Sequence, residues 1–80
     1  MADNSYKDRM REEYLQLKDR YNKLHRMIIK ALAGTLESRL NCPLDLFEDQ
    51  AAAMGQYLRV LEIRAEIEKI NLTEEGDSNA

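Results

Sequence analysis

Seven apolar residues in the first half of the chain recur in alternating steps of four and three: Met10, Tyr14, Leu17, Tyr21, Leu24, Ile28 and Ala31. A strand places side chains with a period of two, so only a helix gathers these seven on one line. The spacing predicts a single helix over residues 6–33. At 1.5 Å per residue it is roughly 42 Å long. Asn4 and Ser5 compete as its N-cap, with Asp8 completing an imperfect capping box. Gly34, just past Lys30, suits the residue after the helix end, where a left-handed backbone closes the last turn.

A second seam follows at Leu44, Phe47, Ala51, Met54, Leu58, Leu61 and Ala65. Pro43 fits the first position of this helix, with Asn41 or Cys42 as its cap. Asp45, Glu48 and Asp49 favour its positive end. Gly55 inside the helix costs about 1 kcal/mol relative to Ala, which suggests that another helix approaches closely there. The second helix is expected over 43–70, with a connector at 34–42 in which Leu36 and Leu40 allow a short helical turn. Residues 1–5 and 71–80 read as polar tails, the latter flexible. The fold class expected is therefore all-α: an antiparallel helical hairpin that assembles into a homo-oligomeric bundle.

Assembly follows from surplus apolar surface. Tyr57, Val60, Ile63, Ile67 and Ile70 form another stripe on the second helix, displaced from its seam. Leu15, Met27, Ile29 and Leu32 lie off the seam of the first. A hairpin buries one seam per helix, so these positions remain in water unless further copies cover them. The chain has 80 residues with a single Cys and a single His, so neither an internal disulfide nor a protein-only zinc site can brace it.

Charge divides unevenly. Residues 6–33 carry 8 Lys or Arg against 4 acids, whereas residues 34–80 carry 4 against 10; with Asp3 the net charge is −3 overall. One helix is thus disposed toward anions while the whole stays acidic, which argues against DNA as a partner. No apolar run approaches the roughly 20 residues of a membrane span, and the start does not read as a secretory signal. The cytoplasm is the compartment expected.

The catalytic inventory is empty. No nucleophile elbow, phosphate loop, dinucleotide fingerprint or zinc-protease motif is present. His25, flanked by Lys23, Leu24 and Arg26, reads as a solvated residue. Cys42 reads as a small buried residue or a cap. Glu62, Glu66 and Glu68 suggest a carboxylate metal site, but the His that such bundle sites use is missing, so they read mainly as a solvated face. No enzyme activity, metal or cofactor is expected.

What remains is a set of groups suited to holding a nucleotide. Arg20, Lys23 and Lys30 share one side of the first helix, with Arg26 near them. A solvated flank is the plain alternative. Tyr beside a cation can stack a base while the cation holds a phosphate. Tyr14 and Tyr21 occupy seam positions and read as core, which leaves Tyr6, at the helix entrance beside Lys7 and Arg9, as the stacking candidate. Arg64 interrupts the second stripe; it either extends to water along its aliphatic stem or presents its planar fork to a phosphate between chains.

Two segments carry a resemblance to a family. The first is Arg9-Met10-Arg11-Glu12-Glu13-Tyr14-Leu15, continuing through Leu17, Arg20, Lys23, Leu24 and Ile28. The second is Leu46, Gln50, Met54, Tyr57, Leu61 and Arg64 at helical spacing. Together they resemble the small phage-encoded helical hairpins of the anti-CBASS and Thoeris anti-defence type. The resemblance implies a sponge for cyclic oligonucleotide messengers, which it holds without degrading them, acting in the host cell cytoplasm. It also implies a homo-oligomer, typically a hexamer, with cyclic dinucleotides between protomers and cyclic trinucleotides at separate sites in some members. By position, Tyr6 is implied to stack a base, Lys23 to meet phosphate with Arg20 and Arg26 as substitutes, and Arg64 to serve a further pocket. Met27 and Ala65 depart from the family pattern, where an aromatic and a branched apolar residue are usual. The alternative without the resemblance is a helical-hairpin module that docks on another protein.

Overall fold

The computed structural model describes residues 5–72. Two helices, α1 (Ser5–Ala33) and α2 (Leu44–Glu68), account for the regular structure of these residues and pack against each other as an antiparallel hairpin. The hairpin is about three times longer than it is thick, 52 × 24 × 17 Å. The two seams face one another as the periodicity requires. Met10, Tyr14, Ile28, Leu58, Leu61 and Ala65 are buried, and Leu17, Tyr21, Leu24, Ala31, Leu44, Phe47, Ala51 and Met54 are half-buried.

Both helices end on left-handed residues. Gly34 has φ +80, its N–H donates to the Ala31 carbonyl at 3.2 Å, and the Thr35 N–H donates to the Lys30 carbonyl at 2.9 Å. This is the Schellman arrangement, and a glycine reaches it without a Cβ penalty. At the end of α2 the same conformation falls to Lys69, with φ 59 and ψ 47, and the Ile70 N–H reaches the Ala65 carbonyl at 2.9 Å. That turn stops the helix at Glu68, two residues before the end expected from sequence. It also removes Ile70 from the exposed stripe, because the reversed chain folds the side chain back onto the core, where it is 8% exposed. Asn71 and Leu72 follow it. The Asn71 carbonyl accepts from Arg11 Nε at 2.6 Å, and Leu72 packs on the buried cluster. The expected tail therefore starts later than residue 71; its remainder, with residues 1–4, lies outside the described residues.

Three further expectations need correction. Ser5 is helical rather than tail or cap, and its Oγ accepts from Arg9 Nη1 at 3.1 Å. Pro43 is the cap of α2, not its first residue: its ψ of 145° is extended, and its carbonyl accepts the Leu46 N–H at 3.1 Å. The connector has no helical turn between Thr35 and Cys42. It crosses the closed end of the hairpin outside the core, which leaves Cys42 exposed, neither buried nor capping.

The core is concentrated at the other, open end. Met10, Tyr14, Leu58, Leu61, Ala65 and Ile70 form one buried cluster there, with Leu15, Leu17, Tyr21 and Leu72 against it. Toward the connector Ile28 is buried at 6% exposure, while its seam neighbours there are only partly sheltered. Along α2, Tyr57, Val60, Ile63 and Ile67 are 41–73% exposed, and Leu46 is 54% exposed on the same helix. The second stripe expected from sequence is thus uncovered in the single chain.

Candidate functional site at the open end of the hairpin

Antiparallel packing brings the start of α1 beside the end of α2. Three tyrosine hydroxyls bridge the helices, each donating to a glutamate. Tyr14 donates to Glu62 Oε2 at 2.7 Å, Tyr6 to Glu68 Oε1 at 3.1 Å, and Tyr57 to Glu13 Oε2. A one-turn slip of either helix would separate all three pairs, so they fix the register that the seams alone leave loose. Burial of the ring and the bond to Glu62 push the Tyr14 phenol up to about 12. Tyr21, the fourth, lies against Gly55 and stacks on His25 with ring centroids 6.0 Å apart.

Tyr6 and Arg64 meet through Glu68. Arg64 Nε donates to Glu68 Oε2 at 3.2 Å, while Tyr6 holds the other carboxylate oxygen. Glu68 raises the Tyr6 phenol above its ordinary value, first by accepting its hydrogen bond, and the Arg64 charge pulls in the opposite direction. Tyr6 stands at the surface, 41% exposed, with its hydroxyl anchored on Glu68. The terminal amino groups of Arg64 have no partner among the described residues. A surface aromatic beside a half-exposed guanidinium is suited to stacking a base and taking a phosphate.

The other expected ligand groups lie elsewhere. Lys23 pairs with Asp19 at 3.1 Å on the exposed side of α1. Arg20 and Arg26 are exposed, with no side-chain partner among the described residues. Along the helix axis these three stand roughly 20–30 Å from Tyr6, at 1.5 Å per residue. Within one chain they do not join Tyr6 and Arg64. A shallow depression of about 380 Å³ on α1 is lined by Ser5, Asp8, Arg9, Arg11, Glu12 and Leu15, and includes none of the five expected ligand groups.

Reading the sequence missed the role of the glutamates. Glu62 and Glu68 resemble a solvated charge run on α2, yet they are the acceptors that hold Tyr14 and Tyr6. The signal is visible only once the hairpin register is known, because the paired residues are 48 and 62 positions apart. No group of three or more His, Cys, Asp or Glu suited to a metal ion occurs among the described residues. Nor is any helix among them long and apolar enough to cross a membrane. A family model described as Sequestin matches residues 4–67. No curated protein and no solved structure matches the chain.

Proposed function

The chain belongs to the Sequestin family, and on that premise we propose that it binds and holds a cyclic oligonucleotide messenger without cleaving it. The ligand class is a cyclic di- or trinucleotide of host CBASS-type immunity, and the protein is a phage-encoded sponge working in the host cytoplasm. The observation that carries this reading is the convergence of Tyr6 and Arg64 on Glu68, which puts a stacking ring beside a phosphate-binding fork. A sponge asks for no nucleophile or general base, in keeping with the sequence.

Assembly is part of the same reading. The uncovered stripe of Tyr57, Val60, Ile63 and Ile67 calls for a second copy to bury it. Lys23, Arg20 and Arg26 stand too far from Tyr6 to share its ligand within one chain, so a pocket using both sets takes them from different protomers. A homo-oligomer, a hexamer by the resemblance above, meets both needs. Nanomolar retention requires about −12 kcal/mol, within reach of two stacked bases and charge-assisted phosphate contacts in a closed cleft. DNA and membranes are not assigned as partners.

The test is incubation of the protein with a panel of cyclic di- and trinucleotides, then heat denaturation and chromatography of the supernatant. At least one member is depleted and then recovered intact. Depletion of none refutes the reading, and a cleaved product would make the protein an enzyme. The uncovered stripe also favours a second reading, a hairpin that docks on another protein. Under it, Val60→Asp or Ile67→Asp abolishes partner capture while Lys23→Ala and Arg64→Ala change nothing.

A further inference from the structure

Glu68 is an unusual residue for its place. It is the last residue of α2, where negative charge opposes the helix dipole. Its side chain is nonetheless more sheltered than that of its partner, 28% exposed against 51% for Arg64. Both carboxylate oxygens are engaged, Oε1 by the Tyr6 hydroxyl and Oε2 by Arg64 Nε. A phosphodiester offers the same donors the same thing: two anionic oxygens a short distance apart.

Resting on the functional reading above, we propose that Glu68 is an internal competitor of the ligand, occupying in the empty protein the two donors that a ligand phosphate takes when it binds. The competition has two consequences. Glu68 and Arg64 neutralise each other, so the empty site exerts little long-range pull on an anion. An entering phosphate must also release the carboxylate, which swings into the water that already reaches it. Affinity is thereby set by Glu68 as well as by the groups that touch the ligand. Its role is that of an affinity-determining residue acting on Tyr6 and Arg64.

The experiment is calorimetric titration of the full chain with cyclic di-AMP, cyclic di-GMP and cyclic tri-AMP. The variants are Glu68→Gln, Arg64→Ala and the double substitution. Glutamine keeps the length and one carbonyl acceptor for Tyr6 while removing the charge. The expected result is binding tightened about three- to tenfold by Glu68→Gln for a nucleotide that contacts this site, with the gain growing as salt is lowered. Arg64→Ala weakens the same nucleotide, and in the double variant the gain from Glu68→Gln disappears, an outcome that a merely structural role would not produce. Unchanged or weaker binding by Glu68→Gln overturns the proposal and leaves the functional reading standing. Absence of binding by the unsubstituted chain refutes that reading, and with it the competition that rests on it. Should thermal melting show Glu68→Gln unfolded, Glu68→Asp carries the test. Its shorter carboxylate cannot span both donors and should tighten binding in the same direction.

Discussion

Replacing Tyr14 separates the two jobs of that side chain. The ring sits in the buried cluster with Met10, Leu58, Leu61 and Ala65, 9% exposed, while the hydroxyl leaves the core to donate to Glu62 at 2.7 Å. Tyr14→Phe keeps the ring and deletes only the bond. A hydrogen bond to a charged acceptor contributes about 1.5–3 kcal/mol when both groups are desolvated. Glu62 is exposed, so water replaces the lost donor, and the expected cost falls to about 1 kcal/mol. Tyr14→Ala also removes the ring and should cost about 3–5 kcal/mol. Alkaline pH supplies an independent axis. The folded phenol titrates near 12 and the unfolded one near 10.0. Folding therefore favours the neutral form, and the stabilisation is complete below pH 10 and drains away between 10 and about 12. Tyr6 adds a contribution of the same sign. Urea denaturation followed by far-ultraviolet circular dichroism, with every variant at the same protein concentration, measures both effects. The Phe variant should lose about 1 kcal/mol at neutral pH and show a shallower alkaline decline. Equal stability with an unchanged alkaline slope would refute the assignment of Tyr14 and Glu62 as a register lock. An Ala variant no weaker than the Phe variant would refute the ring as core.

Lys69→Gly should stabilise the hairpin by about 1 kcal/mol, because a non-glycine residue at φ 59 bears a Cβ clash that glycine lacks; thermal melting reads this as a rise of about 4–8 °C. Gly55→Ala should also stabilise, by up to about 1 kcal/mol. An added Cβ there would meet the Tyr21 ring at 3.5 Å, ordinary contact, so packing within the chain does not require the glycine. A lower melting temperature would show that it does. Under the proposed assembly, Val60→Asp and Ile67→Asp, at positions 41% and 73% exposed in the single chain, should leave helicity unchanged and give monomers in native mass spectrometry where the unsubstituted chain gives an oligomer.

Much of the architecture was legible because two helix seams of seven residues each leave little choice. Every seam residue from Met10 to Ala31 and from Leu44 to Ala65 is at least half-buried. Gly34 marked its turn because a left-handed residue without a Cβ is a local event. Lys69 performs the same turn and went unread, since nothing local distinguishes that lysine from a helical one. The gain that holds it there comes from Ile70 and Leu72 returning to the core. Tyr6 is legible as a tyrosine off the seam beside Lys7 and Arg9, and Arg64 as a charge within an apolar stripe, but what joins them is not. Glu68 differs from its charged neighbours only in what lies across from it.

The sequence by itself determined two amphipathic helices, their connector, their uneven charge and a surplus of apolar surface, all of them consequences of periodicity and composition within one segment at a time. The tertiary structure decided what depends on register between segments far apart in the chain. It set which glutamate receives which tyrosine, where the core concentrates, and which cation stands beside Tyr6. Hydrophobic burial is nearly indifferent to sliding one seam along another, whereas a hydrogen bond of about 3 Å is lost within a single turn. Directional bonds across the hairpin thus fix the geometry of the open end, where Tyr6 and Arg64 meet at Glu68.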